Sequence, residues 1–351
     1  MTGPDLASAQ AAFEAVPGYC NAATLGLPSR TTREALAAAV HEWATGTATA
    51  TGYDAVVARA RSLFAGLVDV PVGRVAVGSQ ASVAVGAVAS SLPDGARVVV
   101  PAGDFTSVVF PFLVHAGRRG LVVAQVPLAG LADAVDEGCD LVAWSRVQSA
   151  DGALADDTAV REAAARVGAA TLCDLTQAAG WLPVRAGDYD VSVTAAYKWL
   201  CAPRGVCFTT VAPSWQERLL PTSAGWYAGE DVWGSVYGPA MALAGDARRF
   251  DVSPAWLAWA GAVPALEVFA GLDVAQVRDH DAALADAVLA GLDLPPAGRA
   301  VVTVPDPDGR ALARLADAGV TAVARAGAVR LSFHLWNGPD DVERVLGALR
   351  G

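Results

Sequence analysis

The chain has 351 residues, a formal net charge of −11, 54% hydrophobic residues and 17% charged residues. That length suits one large domain with a smaller companion, and the composition supplies core material for both and excludes a disordered chain. The negative field argues against nucleic acid or an anionic membrane as a main partner, while a small anion held by local donors stays open.

The N-terminal MTGPDLASAQ lacks the basic start and apolar core of a secretory signal. DLASAQAAFEAV reads as a helix. From about residue 53, helical stretches alternate with short apolar strands. DAVVARARSLFAGLV is a helix, and RVAV (74–77) is a strand followed by a helix opened by GSQAS. There Ser79 and Gln80, after a glycine, offer free N–H groups and side-chain donors at the positive end of a helix, which is a phosphate cradle. An ordinary helix cap at Ser79 uses the same residues. RVVV (97–100) leads to Asp104, Phe105 and a helix over SVVFPFLVHAG. An aromatic at that strand end stacks on a flat ring or joins the core. GLVVAQV (120–126) and DLVAWS (140–145) are further strands, each followed by a helix, and the second opens onto Ser145, Arg146, Gln148 and Ser149.

ATLCDL (170–175) carries Asp174, with Gln177 just beyond. A carboxylate at the end of a buried strand is costly unless paired. A pyridinium N–H would suit it, because the carboxylate keeps the ring protonated and the ring then accepts electrons. Capping of the next segment would also occupy it. DVSVTAA (190–196) and GVCFTTV (205–211) complete the series. The alternation predicts an α/β fold with a mostly parallel sheet flanked by helices, and a ligand crevice beyond the carboxyl ends of its strands.

After about residue 240 two long helices (254–271 and 273–291) precede AVVTV (300–304), a helix (309–318), TAVAR (321–325), AVRLSFH (328–334) and a last helix (338–349). This is a smaller C-terminal α/β domain. The expected division is 16–240 for the large domain, and 1–15 with 241–351 for the small one. WLAWAGAVPALEVFAGL contains Pro264 and Glu267 and reads as a buried helix rather than a membrane span. Cys20, Cys139, Cys173, Cys201 and Cys207 are odd in number, scattered and without a CxxC pair, so reduced thiols in a cytoplasmic protein and no metal site are expected. His41, His115, His280 and His334 are far apart and show no ligand spacing.

The residue that stands out is Lys198, in AAYKWLCAPRG (195–205). Of 25 Lys and Arg residues it is the single lysine. It sits in an apolar run between Tyr197 and Trp199. Compositional drift toward arginine would exchange solvated lysines first. A guanidinium stays protonated, whereas a desolvated ammonium can release its proton and act as a nucleophile. A retained lysine here points to amine chemistry, a Schiff base foremost.

A phosphate cradle, a stacking aromatic, a pyridinium carboxylate and an amine thus all fall at strand ends of one sheet. This constellation resembles the class V aminotransferase family, which uses pyridoxal 5′-phosphate on fold type I and includes cysteine desulfurases and kynureninases. CDLTQAAGWLPV (173–184) and YDVSVTAAYKWLCAPRGV (189–206) are similar to the family's Asp-x-x-Gln and Lys segments, and the likeness extends from YCNAATLGLPSR (19–30) to VRLSFHLWNGPDDVERVLGAL (329–349). The resemblance implies that Lys198 carries the cofactor as a Schiff base, Asp174 binds its pyridine nitrogen and Gln177 touches the ring's 3-oxygen. It places Phe105 at the stacking position, where kynureninase-like members have Phe and desulfurases have His. It gives Ser79, Gln80 and Tyr197 to the phosphate, and Arg330, with Asn21 nearby, to the substrate carboxylate, a task that suits a bidentate fork.

Three departures bear on function. The family's serine two residues before the Tyr position is Ala195 here. The Gly-Thr of the family, whose Thr reaches the neighbouring subunit's phosphate, is replaced in RFDVSPAW (249–256) by Ser253-Pro254, so Ser253 stands in for that contact in an expected homodimer. No cysteine follows Cys207, where desulfurases carry their mobile-loop cysteine. The expectation is a pyridoxal-phosphate enzyme acting on an α-amino acid, by transamination or Cβ–S lyase chemistry. A kynureninase-type hydrolase ranks behind these, followed by a desulfurase or a non-catalytic protein of the same fold. Trp226, Tyr227 and Trp233 line a substrate pocket or simply pack.

Overall fold

The computed structural model describes residues 5–238 and 240–350. Helix α1 (Leu6–Ala11) is capped by the Asp5 side chain. Helix α2 (Arg30–Thr45) starts where Ser29 accepts from the Thr32 N–H and ends on Gly46 in the left-handed region, and α3 is Gly52–Leu67. The alternating series follows as β1 (Val75–Gly78), α4 (Ala81–Ser91), β2 (Arg97–Pro101), α5 (Thr106–Arg119), β3 (Val122–Val126), α6 (Leu131–Asp136), β4 (Leu141–Ser145), α7 (Asp157–Val167), β5 (Ala170–Asp174), β6 (Val191–Ala195), β7 (Cys207–Val211) and α8 (Pro213–Gln216). The later part contains α9 (Trp256–Phe269), α10 (Val274–Gly291), β8 (Val301–Pro305), α11 (Arg310–Asp317), β9 (Val323–Arg325), β10 (Ala328–Ser332) and α12 (Pro339–Arg350).

Strands β1 to β7 form one seven-stranded sheet in the order β1-β7-β6-β5-β4-β2-β3. All neighbours pair in parallel except those involving β7, which runs against both β1 and β6. Helices cover both faces, so the central strands β4, β5 and β6 are buried throughout, including the polar Thr171, Ser192 and Thr194. One face packs on Phe64, Trp144, Trp181, Phe208 and Trp259, the other on Val85, Val98, Phe112 and Trp215.

The carboxyl ends of β1, β2, β4, β5 and β6 therefore point the same way, and the start of antiparallel β7 joins them. The predicted elements are present with small shifts in their ends. TAVAR pairs as a strand only from Val323, because Thr321 instead bridges to Tyr19. Helix α2 was not anticipated, although its Ser29 cap and Gly46 stop are ordinary signals. α9 packs across α2 and α3, and its Trp259 meets Phe208 of β7 edge-on at 5.4 Å. Among the described residues no single helix is long and apolar enough to cross a membrane.

The smaller sheet has the order β8-β10-β9 and is antiparallel throughout. Its core is built with α10, α11 and α12. The N-terminal segment ties the two parts together. Cys20 N–H donates to Thr321 at 3.1 Å, Ser332 N–H donates to Cys20 at 2.9 Å, and the chain then runs on to Gly26, whose N–H donates to the Tyr197 carbonyl at 2.9 Å. A Cβ on Gly26 would collide with the Lys198 carbonyl oxygen, so this close approach admits only glycine. Gly26→Ala is expected to lower unfolding stability by about 1–3 kcal/mol and to weaken the site beside it. Urea unfolding combined with a cofactor titration checks both effects.

Candidate active site

The strand ends open on a cavity of about 380 Å³. Ser79, Gln80, Phe105, Asp174, Gln177, Tyr197 and Lys198 all line it, so seven residues far apart in sequence meet in one place. Thr176, Ser149 and Arg204 line it as well.

Lys198 follows β6 and is 5% exposed. Its Nζ lies 5.3 Å from the centre of the Phe105 ring and 5.7 Å from that of Tyr197. Burial lowers its pKa to about 8; Asp174 opposes the shift, and Arg330, Arg325 and Arg204 add to it. The neutral, nucleophilic amine is thus the main form above pH 8 rather than above the usual range. Reductive methylation of the cofactor-free protein, read from the mass of the peptide carrying Lys198, should accelerate with pH through a midpoint near about 8. In Asp174→Asn the midpoint should fall further, because the group favouring the ammonium is gone.

Asp174 ends β5 and is 4% exposed. Oδ1 accepts from the Thr176 N–H at 2.7 Å, and the described residues offer Oδ2 no hydrogen-bond donor. Burial raises its pKa, against the Thr176 hydrogen bonds and the nearby Lys198. A cationic N–H in the cavity would favour the ionised form. Thr176, which the sequence reading passed over, also accepts from the Ala195 N–H at 2.9 Å and fixes the ends of β5 and β6 together. Gln177 is held on all sides. Its Nε2 donates to Ala23 O and Ser149 Oγ, both at 3.0 Å, and its Oε1 accepts from Trp199 Nε1 at 2.8 Å.

Gln80, not Ser79, occupies the N-cap of α4, and its side chain makes no capping bond. The Ala81 and Ser82 N–H groups meet no acceptor among the described residues, so the helix start is left open for an anion. Tyr197 lines the same cavity. The Arg204 guanidinium stacks 5.2 Å over its ring and forms no ion pair among the described residues. Arg204 escaped the sequence reading because only the antiparallel insertion of β7 carries it here. It supplies positive charge where Ala195 lacks a hydroxyl.

Phe105 precedes α5 and is 44% exposed, with one face toward the cavity. It is set by the buried Asp104. That carboxylate accepts from the Phe105 N–H at 2.6 Å, Ser145 Oγ at 2.5 Å, the Ser145 N–H at 2.8 Å and Gln148 Nε2 at 3.2 Å. It locks the loops after β2 and β4 to each other.

Arg330 in β10 is 1% exposed. Nη2 donates to Thr24 Oγ1 at 2.6 Å, and Nη1 donates to the Ser149 carbonyl; Nε has no partner. No carboxylate pairs with it among the described residues, and burial, aided by Arg325, lowers its pKa to about 10. A buried, uncompensated guanidinium is costly until an anion arrives. Ser149, shared by Arg330 and Gln177, ties this group to the cavity wall. Asn21 bridges to Ser332, and its buried Oδ1 has no partner. Ser253 is exposed and lies outside the cavity of its own chain. Its segment is fixed beside β1 by the buried Arg61–Asp251 pair at 2.6 Å and by the Val77 N–H, which donates to Asp251 at 2.8 Å. Trp233 Nε1 donates to Asp54 at 2.7 Å, and Trp226 packs on Tyr227 and Trp233; none of the three lines the cavity.

An open helix start, a buried carboxylate with a free oxygen and a buried amine fit a phosphorylated, aldehyde-bearing pyridine. The aminotransferase class-V family profile matches residues 30–315. The uncharacterized aminotransferase YcbU of Bacillus subtilis (strain 168) is 28% identical over 230 residues, a match covering 63% of this chain and 60% of that protein. In overall fold the chain is similar to the cystine C–S lyase C-DES, solved with its product cysteine persulfide (TM-score 0.85, 18% identity, 95% of this chain and 97% of that one). It is likewise similar to the cysteine desulfurase CsdA from Escherichia coli (TM-score 0.84, 17% identity, 98% and 97%). The chain belongs to the aminotransferase class-V family.

Proposed function

We propose, with membership of that family as the premise, that the chain is a pyridoxal 5′-phosphate-dependent enzyme that acts on an α-amino acid. The observation that carries this reading is the arrangement of buried charge. One lowered-pKa amine, Lys198, stands by one buried carboxylate, Asp174, and is within the field of one buried, uncompensated guanidinium, Arg330. Bound there, the cofactor supplies a conjugated ring that accepts the electron pair left when a bond at Cα breaks.

The protein's own groups divide the remaining work. Lys198 Nζ would hold the cofactor covalently and would serve as the general base for the Cα proton. Asp174 would keep a proton at the pyridine nitrogen. Phe105 would cover the ring, and Gln177 would stand by its 3-oxygen. Ser79, Gln80 and the open start of α4 hold the phosphate, with Tyr197 beside them. Arg330 orients the substrate carboxylate, and Asn21 approaches from the N-terminal segment.

Transamination is the first reading, supported by the family and by the name of the Bacillus subtilis relative. Cβ–S lyase chemistry is the second, supported by the fold likeness to C-DES. A persulfide-forming desulfurase gains no support from the cysteines. Cys20, Cys173, Cys201 and Cys207 are buried, Cys139 is partly so, and burial pushes every one of these thiols up. The functional unit we infer is a cytoplasmic homodimer in which Ser253 of one copy serves the phosphate site of the other. Exposed Trp43 and Trp256, on a shared apolar groove close to Ser253, support that contact.

Loading the enzyme and supplying amino acids one at a time separates the chemistries. Conversion of the cofactor to its amine form with release of the matching keto acid marks transamination. Pyruvate with ammonia from a sulfur-containing amino acid marks the lyase. No product of either kind from any α-amino acid would sink the reading.

A further inference from the structure

The histidines are remote from one another in the sequence, yet the fold brings two of them onto one carboxylate behind the lysine. Asp281 of α10 is fully buried. Its Oδ1 lies 2.8 Å from His280 Nδ1 and its Oδ2 lies 2.9 Å from His334 Nδ1. His334, just beyond β10, is also fully buried, and its Nε2 lies 2.9 Å from the carbonyl oxygen of Trp199. A carbonyl only accepts, so His334 Nε2 donates to Trp199 O, while its Nδ1 faces the Asp281 carboxyl group. The ring is enclosed by Trp199, Phe269 and Trp336 at 5.1, 5.9 and 5.0 Å between centres. A buried hydrogen-bond network whose members are satisfied rigidifies the groups it holds, which points to a role beyond packing.

Its target suggests that role. Trp199 follows Lys198, and the three carbonyls of the lysine turn are each held. Tyr197 O accepts from Gly26 N–H at 2.9 Å, Lys198 O from Cys201 N–H at 3.2 Å, and Trp199 O from His334. Of these donors, the imidazole alone comes from the C-terminal part of the chain. A Cβ on Gly180 would stand 2.5 Å from the Trp199 oxygen, so the peptide is pressed from the other side too. The Trp199 indole N–H then holds Gln177, which meets Ser149, which meets Arg330. One line of hydrogen bonds runs from Asp281 to the carboxylate-binding arginine and passes the lysine turn on the way.

We propose that His334, oriented by Asp281, is a positioning residue that sets the Lys198 amine against Asp174 by holding the Trp199 carbonyl. The proposal rests on the reading of Lys198 as the reacting amine. The small sheet's end thereby fixes the geometry of chemistry carried by the large sheet.

Three variants separate positioning from packing. His334→Asn keeps a group near Nδ1 and loses the bond to Trp199. His334→Gln places its amide near Nε2 and keeps that bond. Asp281→Asn removes the carboxylate but its amide can donate to Nδ1, so a neutral ring keeps its Nε2–H for Trp199. Two readouts are taken beside thermal unfolding: the pH midpoint for methylation of Lys198 in the cofactor-free protein, and kcat and KM of the loaded enzyme. His334→Asn should move the midpoint by about one pH unit and lower kcat by about 10- to 100-fold. KM should stay within about threefold of wild type. His334→Gln and Asp281→Asn, which keep a donor to the Trp199 carbonyl, should retain most of both. If all three variants unfold earlier but keep the wild-type midpoint and kcat, or if His334→Gln is as impaired as His334→Asn, the positioning role is wrong. A wild-type protein that takes up no cofactor overturns the functional reading and this proposal together. Cofactor uptake with unmoved variants overturns this proposal alone.

Discussion

Replacing Lys198 with arginine should leave a folded protein that holds no cofactor covalently and turns over amino acids about 10⁴-fold more slowly. Arginine keeps the positive charge and adds hydrogen-bond donors, but its guanidinium cannot give up its proton to become a nucleophile. Lys198 does the opposite. Burial destabilises its ammonium, and Arg330, Arg325 and Arg204 push the same way, so its pKa falls to about 8. Lys198→Ala should lose as much activity as Lys198→Arg, yet small primary amines added to the solution should restore part of it, since the cavity then has room for them. The arginine variant should not respond. Activity measured with and without added methylamine, alongside circular dichroism to confirm folding, distinguishes lost chemistry from a lost fold. Because Lys198 is the only lysine in the chain, no other lysine can take its place.

The second large effect is expected at Arg330. Its truncation to alanine should raise KM for the amino-acid substrate by about 30- to 5,000-fold, the range for removing one partner of a buried charge pair, while the cofactor's absorption stays. The split between KM and cofactor colour follows from position. Arg330 donates to Thr24 and Ser149 and reaches the lysine only through its field. Arg330→Lys should recover little, because a point charge cannot replace a planar fork already held at both Nη atoms. Substrate titrations followed by absorbance measure this directly. Unchanged KM would remove Arg330 from carboxylate recognition.

Much of the cavity was legible before the fold was seen because its residues occupy strand ends in chain order. Ser79, Phe105, Asp174 and Lys198 each follow a parallel strand, and a parallel sheet delivers all such positions to one edge. The lysine announced itself by composition alone. Other residues were hidden because they depend on strand order or on pairing between distant segments. Arg204 reaches the cavity only because β7 inserts antiparallel between β1 and β6. Thr24 meets Arg330 across the two parts of the chain, with no local pattern to mark it. The His334–Asp281 pair is separated by 53 residues, and the reading that found no ligand spacing among the histidines could not foresee that Asp281 would gather two of them. Ser79 as a helix cap gave way to Gln80 for a different reason. The chain needs one more extended residue after β1 before α4 can begin, and that shift leaves the first N–H groups of the helix without a side-chain acceptor.

The account's central claim is that one buried amine, Lys198, carries pyridoxal 5′-phosphate. Its most direct test is borohydride reduction of the protein after incubation with that cofactor, followed by peptide mass mapping. The predicted result is a yellow protein that loses its visible absorption on reduction and carries one phosphopyridoxyl group on the peptide containing Lys198. A protein that stays colourless, or a stable adduct that leaves Lys198 unmodified, would contradict it.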